Sequence, residues 1–381
     1  MASAQEHPAG FVGGHRLDVV VVGGGPIGLA CAWRAARRGL RSAVIDDGEP
    51  GAWHVAAGML APVAEAEFGE RELLELGLRS ARLFEDFCAE LAEATGSDPG
   101  LRASGTLVVA RDADEAEALD RLIAFRETLG LRVERLRPSQ ARRAEPALAP
   151  TVRLALDVAG DHSIDPRRLV AALRGAVELR RGRAARLRVE DDRVTGVELE
   201  DGSTVAAGAV VVAAGVHAAR LGMPERARVP VRPVKGQVLR LRDPRGPGLV
   251  TRVIRGEQAY LVPRGDGRYV LGATMEERGW DTAATAGGVY ELIRDMSEVV
   301  PGVLELEIEE LEAGLRPATP DNLPAIGRGA LEGLVWAVGH HRNGILLTPV
   351  TAELVADALA GDESPEWARP ADPARFAGVP A

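Results

Sequence analysis

The chain has 381 residues, which is too long for one ordinary hydrophobic core, so we expect two domains. Its composition, 46% hydrophobic and 27% charged, is that of a soluble globular protein, and its net charge of −10 argues against a nucleic-acid partner. Cys31 and Cys88 both lie in apolar segments, which argues against a disulfide scaffold or a zinc site and fits a reducing cytoplasm.

The first elements form a βαβ pattern. Residues 1–16 lack an apolar stretch, so we expect a flexible tail rather than a signal peptide. Residues 17–22 (LDVVVV) are typical of a fully buried parallel strand. GGGPIG then opens a helix to about Arg38, and residues 42–46 form a second buried strand. The longest apolar run, 19–32, is too short and too rich in glycine to span a membrane.

Helical and strand patterns alternate along the rest of the chain. Apolar spacing predicts helices over 70–95, 112–130 and 165–179, and buried strands over 104–110 and 208–215. From Val229 the pattern changes to alternating polar and apolar residues. The segment PRGDGR (263–268) predicts a hairpin turn, and this part of the chain therefore predicts an antiparallel sheet.

These elements predict an α/β fold in which a Rossmann-type nucleotide-binding domain is interleaved with a smaller α+β domain built on an antiparallel sheet. We assign the nucleotide-binding domain to residues 17–85, 150–228 and 325–381. The smaller, substrate-binding domain takes residues 86–149 and 229–324.

The motif G-x-G-x-x-G, formed by Gly23, Gly25 and Gly28, lies between the first strand and the first helix. Its glycines permit a tight turn, close approach to a pyrophosphate and close packing of helix on strand. Asp46, after the second strand, can accept a hydrogen bond from a ribose hydroxyl and disfavours a 2′-phosphate, leaving FAD or NAD. A glycine turn without a ligand is the alternative. A second such motif is missing, which favours a flavin that takes electrons from a small molecule.

Four further segments follow the glycine motif in order: AAGMLAP (56–62), VRPVKGQ (231–237), GLRPATPDNLPAIG (314–327) and GHHRNGILLTP (339–349). With them the chain resembles the FAD-dependent D-amino acid oxidase superfamily over residues 18–376, and within it the glycine oxidases of thiamine biosynthesis. The resemblance implies an FAD domain covered by an antiparallel sheet. It also implies oxidative deamination of glycine, sarcosine or small D-amino acids by O₂, giving H₂O₂ and, from glycine, glyoxylate and ammonia. The glycine imine would serve thiazole formation.

The resemblance also implies substrate-binding residues. Arg316 matches the arginine that binds the substrate carboxylate, for which a rigid guanidinium fork is suited; an inter-domain ion pair is the alternative. We expect Arg342 to reach the same carboxylate, the alternative being a solvated loop arginine. Tyr260 and Met275 match residues beside the substrate, and plain core packing is the alternative for both. No catalytic base is assigned, because hydride transfer needs none.

We expect non-covalent FAD, because no cysteine follows Cys88. The turn at 339–346 is expected to present backbone N–H groups, at the start of the C-terminal helix, to the flavin N1–C2=O edge. The adjacent histidines lack an Asp, Glu or Cys neighbour to complete a metal site, so no metal is expected. The expected FAD-binding residues are Gly23, Gly25, Pro26, Ile27, Gly28, Asp46, Asp47, Ala57, Gly58, Met59, His340, His341, Arg342, Asn343, Gly344, Ile345 and Leu346.

Some positions depart from the family pattern. Gln258 stands where a related enzyme has histidine, and the segment 46–56 is short and lacks a serine/threonine pair. Lys235 is the single lysine of the chain, and we place it at the crossover between domains rather than on the sheet near Met275, so it receives no oxygen-activating role. We expect a homo-oligomer. The alternatives are a related flavin dehydrogenase with another electron acceptor and a flavin-binding module without turnover.

Overall fold

The structure, a computed structural model, describes residues 16–379. Apart from Arg16, the predicted tail at 1–16 lies outside these residues. The strands are β1 (Leu17–Val22), β2 (Ser42–Asp46), β3 (Met59–Leu60), β4 (Leu101–Arg102), β5 (Thr106–Ala110), β6 (Glu134–Leu136), β7 (Leu154–Val158), β8 (His162–Ile164), β9 (Leu179–Arg181), β10 (Ala184–Glu190), β11 (Arg193–Leu199), β12 (Thr204–Val212), β13 (Arg232–Arg242), β14 (Val253–Arg255), β15 (Tyr260–Pro263), β16 (Arg268–Gly272), β17 (Glu307–Ala318), β18 (Ala325–Arg328) and β19 (Leu334–Val338).

Eight α-helices are assigned within residues 16–379, and short 3₁₀ turns connect other elements. The helices are α1 (Pro26–Arg37), α2 (Ala52–Val55), α3 (Arg71–Thr95), α4 (Ala113–Thr128), α5 (Pro138–Ala144), α6 (Pro166–Gly175), α7 (Ala286–Val299) and α8 (Thr348–Ala360). The predicted helices at 70–95 and 112–130 are confirmed as α3 and α4. In this described part of the chain, no helix is both long and apolar enough to cross a membrane.

The first sheet has eight strands, of which six follow the order β9–β2–β1–β12–β19–β18, while β11 and then β10 continue from the start of β12. Strands β9, β2, β1, β12 and β19 are parallel neighbours, and β18 is antiparallel to β19. Val19 and Val21 pack in the core that contains α1, α6 and α8, whereas Val20 and Val22 pack in the core on the other face. The prediction of a strand buried on both faces is therefore confirmed, and it explains the β-branched run.

The second sheet has the order β17–β13–β16–β15–β14–β5–β7–β6. Its neighbours are antiparallel except β5 and β14, which run parallel. The predicted hairpin is confirmed: β15 and β16 pair across the turn between Pro263 and Arg268. Together the two large sheets give the predicted α/β class with an antiparallel second layer. A small third sheet joins β3, β8 and β4.

Several details differ from the sequence predictions. The helix predicted over 165–179 ends at Gly175, because Glu178 and the residues of β9 pair with the edge of β2. Strand β7 pairs with β5 of the second sheet, although it falls in the 150–228 piece assigned to the nucleotide-binding domain. Strand β12 also continues as an antiparallel partner of β11, an extension that the sequence analysis missed.

Lys235 is also placed differently from the sequence prediction. It does not lie at a crossover but within β13, where its backbone pairs with Leu315 and Glu276. The sequence prediction that Lys235 lies away from the sheet near Met275 was therefore wrong. Both cysteines are buried and unpaired, as predicted.

Candidate active site

A cavity of about 1440 Å³ is bordered by both large sheets. This volume exceeds the roughly 300–1,000 Å³ of common small-molecule sites, so it has room for a dinucleotide together with a small substrate. The predicted residues that border the cavity are Gly23, Gly25, Pro26, Ile27, Asp46, Asp47, Ala57, Gly58, Met59, Tyr260, Met275, Arg316, His340, His341, Arg342, Gly344 and Ile345. Gly28, Asn343 and Leu346 lie outside its lining.

The glycine-rich turn joins β1 to α1 at one end of the cavity. Gly23 has φ 112°, and a Cβ there would lie 2.5 Å from the Ala213 carbonyl oxygen. A Cβ at Gly28 would lie 2.0 Å from the Gly23 carbonyl oxygen, so Gly28 serves packing of α1 on the turn. Gly25 has an ordinary φ of −78°, and the atom nearest to a Cβ would be 3.6 Å away on Trp53. Its missing side chain therefore leaves room for a ligand at the helix N-terminus, where the dipole favours phosphate.

The carboxylate of Asp46 is fixed against this turn. It accepts hydrogen bonds from the Gly24 N–H at 2.8 Å and from Arg174 at 2.8 Å. A Cβ at Gly24 would lie 2.4 Å from the Asp46 Cγ, so glycine is required for this contact. The neighbouring Asp47 pairs with Arg183 at 2.6 Å. An acidic group held at the end of β2 is suited to accept a hydrogen bond from a ribose hydroxyl.

The segment from Ala57 to Met59 forms part of the cavity lining. Gly58 has φ 78°, and a Cβ there would lie 2.0 Å from the Ile164 carbonyl oxygen. Arg264 donates hydrogen bonds to the carbonyl oxygens of Ala57 at 2.8 Å and Ile164 at 3.1 Å. Burial lowers the pKa of Arg264 to about 10. This buried guanidinium ties the segment to β8 and to the second sheet, and so fixes one wall of the cavity.

Arg316 enters the cavity from β17 of the second sheet. In the pairing of β17 with β13, Arg316 lies opposite Val234, and a Cβ at the nearby Gly236 would be 2.3 Å from its Nη1 atom. The absent side chain of Gly236 therefore makes room for the guanidinium. Its Nη1 donates hydrogen bonds to the carbonyl oxygens of Thr274 at 3.1 Å and Lys235 at 3.3 Å. Among the residues described, no acceptor of Nε or Nη2 is found, so these donors are available to a ligand.

Tyr260 and Met275 border the same part of the cavity. Burial raises the pKa of the Tyr260 phenol, partly opposed by the Arg316 charge. Its hydroxyl lies against Gly272, where a Cβ would be 2.7 Å away. Met275 is 60% exposed, which speaks against the alternative that it only fills the core. Gln258 also lines the cavity, so its departure from the family pattern affects the site itself.

The turn at 339–346 differs from the predicted arrangement. A 3₁₀ turn covers His341–Asn343, and α8 begins only at Thr348, so the N–H groups of the turn do not belong to the first turn of α8. Gly344 has an ordinary helical φ of −56°, and a Cβ there would come no closer than 3.7 Å to its nearest neighbour. As at Gly25, a missing side chain leaves space next to the cavity. Two glycines that the protein's own packing does not require fit a bound cofactor.

The two adjacent histidines have different surroundings. His340 is buried, its Nε2 lies 3.0 Å from the Thr351 hydroxyl, and burial lowers its pKa to about 3. His341 has φ 47°, and its buried Nε2 has no partner among the described residues. Burial, followed by the charges of Arg316 and Arg342, lowers its pKa to about 4. His340 therefore anchors the turn to α8, and His341 is neutral beside two guanidinium groups.

Two groups of residues in or beside the cavity were missed by the sequence analysis. Glu65 and Arg255 form an ion pair of 3.3 Å, and both contribute to the electrostatic surroundings of Tyr260. No motif marks them, and they meet only because the 61–68 loop folds against β14. The second group contains His54, Glu310 and Glu312, whose ligand atoms are close enough to hold a metal.

The two glutamates of this second group are already paired with an arginine. Arg167 donates to Glu310 at 2.6 Å and to Glu312 at 2.9 Å, and Arg240 donates to the His54 carbonyl oxygen at 2.6 Å. Mainly because of its hydrogen bonds with Arg167, the pKa of Glu310 is lowered to about 2. The group therefore functions as an ion-pair network between α6, α2 and β17 at the edge of the cavity.

Comparison with known proteins agrees with this arrangement. The FAD dependent oxidoreductase family model matches residues 18–358. The chain is 36% identical to the glycine oxidase of Geobacillus kaustophilus, covering 92% of this chain and 94% of that protein. It is 34% identical to the bifunctional protein ThiO/ThiG of a Synechocystis strain, over 94% of this chain and 54% of that protein. The crystal structure of the Geobacillus kaustophilus glycine oxidase superposes with a TM-score of 0.88, at 34% identity, over 94% of this chain and 98% of that one. The chain thus belongs to the FAD dependent oxidoreductase family, and FAD is its cofactor.

Proposed function

We propose that the protein catalyses the oxidative deamination of glycine, and of sarcosine or small D-amino acids, and that its glycine imine serves thiazole formation in thiamine biosynthesis. The observation that carries this proposal is the position of Arg316. Its guanidinium lies over Gly236 in the same cavity as the glycine-rich turn, with donors free for a ligand. The similarity to a glycine oxidase over nearly the whole chain supports the same substrate class.

The site favours a small carboxylate. Arg316 can hold two carboxylate oxygens through its planar fork, and Arg342 borders the same cavity. After burial, the charges of Arg316 and Arg342 lower the pKa of His341. Tyr260, with a hydroxyl at the cavity wall, supplies a polar group near the carboxylate or the amine. We propose that these three residues bind the substrate and that Met275 limits its size.

The reaction needs an amine without its extra proton. The Arg316 charge, which no carboxylate balances in the described part of the chain, and a partly desolvated site disfavour an ammonium, so the neutral amine is favoured at this position. When bound, FAD supplies the acceptor for the hydride that leaves Cα, while the nitrogen lone pair forms the C=N bond. Water then converts the imine to glyoxylate and ammonia. O₂ takes up the two electrons and two protons as H₂O₂.

A peroxide assay on the purified yellow protein tests the proposal. Glycine, sarcosine, D-alanine and D-proline are compared in parallel, and H₂O₂ formation with glycine is expected. The variant Arg316→Met, of similar length and without charge, should lose roughly 10- to 100-fold in kcat/KM, because a charge-assisted bidentate contact is worth about 1.5–3 kcal/mol. Colourless protein, or yellow protein that oxidises none of the four amines, would contradict the proposal.

We further propose O₂ as the electron acceptor, a homo-oligomeric assembly and a cytoplasmic location. The buried unpaired cysteines agree with a reducing compartment. Oxygen consumption that matches peroxide release, the mass of the purified protein in solution and cell fractionation test these three points separately.

A further inference from the structure

Strand β13 presents different residues to its two faces, as alternation in a strand requires. Gly236 and Val238 border the cavity. The side chains of Lys235 and Gln237 point to the opposite face, where they contact the segment 274–285 between β16 and α7. We call residues 274–285 the strap. The strap is thus held from the side of β13 that faces away from the cavity.

Lys235 holds the middle of the strap. It is the single lysine of the chain, and its side chain is fully buried. Its Nζ donates to Asp281 Oδ2 at 2.7 Å and to the Ala283 carbonyl oxygen at 2.6 Å. A buried ammonium is costly unless it is paired and hydrogen-bonded, so these contacts stabilise one position of the strap. The pKa of Asp281 is lowered mainly by the hydrogen bond from Lys235.

Gln237 and the backbone hold the two ends of the strap. The Gln237 side chain donates to Glu276 at 2.7 Å and accepts from the Thr285 N–H at 2.7 Å. The backbone of Lys235 exchanges hydrogen bonds of 2.9 and 3.0 Å with that of Glu276. Beginning, middle and end of the strap are therefore all fixed to one strand.

The front of the strap forms part of the cavity wall. Met275, Trp280 and Thr282 line the cavity, and the Trp280 ring lies 3.5 Å below the guanidinium carbon of Arg220, which follows β12 of the first sheet. The strap therefore extends from the second sheet to the first. Its Thr274 carbonyl oxygen also accepts a hydrogen bond from Arg316. The guanidinium proposed to bind substrate thus rests on the strap and on the Lys235 backbone.

We propose that Lys235 is a positioning residue, which fastens the strap from behind and thereby fixes the wall of Met275 and Trp280 and the support of Arg316. Lys235 itself does not contact the cavity. The kinetic consequence rests on the proposed amine oxidation, whereas the fastening of the strap does not.

Selective acetylation tests the fastening directly. Lys235 carries the single side-chain amine, so an N-hydroxysuccinimide ester of acetate followed by peptide mass analysis reports on this residue alone. In the holoenzyme, acetylation of Lys235 should be at least roughly 100-fold slower than in the same chain unfolded in urea, because the amine reacts only when the strap opens. Asp281→Ala should accelerate it roughly 10-fold or more. Similar rates in folded and unfolded chain would overturn the proposal.

The matched control is Asp266→Ala. Asp266 is an exposed aspartate in the β15–β16 hairpin, where it pairs with Arg268 of its own turn at 2.6 Å. The substitution removes the same charge from a residue that pairs with Arg268 and not with Lys235. In Asp266→Ala, Lys235 should be acetylated at the same rate as in the wild type. An equal acceleration in both variants would show a general loosening of the sheet and would overturn the specific role of Asp281.

Steady-state kinetics tests the positioning role. With glycine, Asp281→Ala should raise KM roughly 3- to 10-fold and change kcat less than about twofold, since one supporting hydrogen bond is worth about 1 kcal/mol. Lys235→Met should show the same split with a larger KM. Faster acetylation with unchanged KM would make Lys235 a structural residue only. If no amine is oxidised, binding of acetate, followed by the flavin spectrum, replaces KM, and equal acetate affinity in wild type and Asp281→Ala would overturn the proposal.

Discussion

The guanidinium of Arg342 donates a hydrogen bond of 2.5 Å to the carboxylate of Glu70, at the N-terminal boundary of α3. Both side chains are partly exposed, at 25% and 30%. The arginine expected to reach the substrate is thus held by an acid 272 residues away in the sequence. In the proposed function, the substrate carboxylate would compete with Glu70 for the same guanidinium, and the ion pair would set how freely Arg342 takes part in binding.

Opposite changes in substrate affinity are expected from the two partners. Arg342→Ala removes a cation from the cavity and should raise KM for glycine roughly 3- to 10-fold. Glu70→Ala frees Arg342 and should lower KM. Steady-state kinetics with FAD content as a control measures both. If Arg342 only anchors the loop, the two variants will leave KM unchanged and lower the melting temperature alike.

Because Gly24 and Asp46 are in close contact, a substitution at Gly24 should weaken binding of FAD. In Gly24→Ala the new methyl group would overlap the Asp46 carboxylate and displace it from the turn. Retention of FAD through gel filtration should fall sharply, while far-UV circular dichroism should stay unchanged. Gly287→Ala is the matched control, because a Cβ at this position in α7 meets nothing within 4 Å. Full flavin occupancy in Gly24→Ala would refute this use of the turn.

The buried carboxyl of Asp161 should make the folding stability of the protein depend on pH. Burial raises the pKa of its carboxyl from 3.8 to about 7, although the N–H groups of Val63 and Ala64 donate to it. A raised pKa of an acid means that the folded state prefers the protonated form. Its contribution is therefore fully present below about pH 4 and is lost as the pH rises through about 7.

The comparison with Asp161→Asn isolates this contribution. The asparagine cannot ionise, so the melting temperature of the wild type relative to the variant should fall between pH 4 and pH 7 and level off above. Thermal unfolding of both proteins in matched buffers measures it. A constant difference across that range would show that Asp161 does not titrate there.

Glu310 should behave in the opposite way. Its pKa is lowered from 4.5 to about 2, mainly by Arg167, so its stabilising contribution is present above pH 4.5 and is lost as the pH falls through about 2. Glu310→Gln should therefore be less stable than the wild type at pH 6, with a difference that shrinks towards pH 3. Glu117→Gln, in an exposed helical pair with Arg121, is the control and should show no such trend.

The fold was predictable where local periodicity and burial agree. The β-branched run at 17–22 indicates a strand with two buried faces. The spacing of leucines at 70–95 indicates a helix with one buried face. Lys235 was misplaced because nothing in its neighbourhood reveals that β13 pairs with Glu276, 41 positions later. The ion pair of Arg342 with Glu70 was equally invisible, because acidic side chains are common at helix N-termini, where the helix dipole favours them without any arginine partner. Pairings distant in the sequence depend on the tertiary fold, and motifs record only part of it.

The order of strands in the first sheet has a consequence for biosynthesis. β1 is made first, but its neighbour β12 pairs in turn with β19, which is completed only at Val338. While the ribosome translates residues 213–333, one edge of β12 has no partner strand at residues 210–212. Exposed strand edges promote association of nascent chains. We therefore expect chaperones to bind the emerging chain until β19 pairs with β12, and a chain truncated before β19 to aggregate rather than to bind FAD.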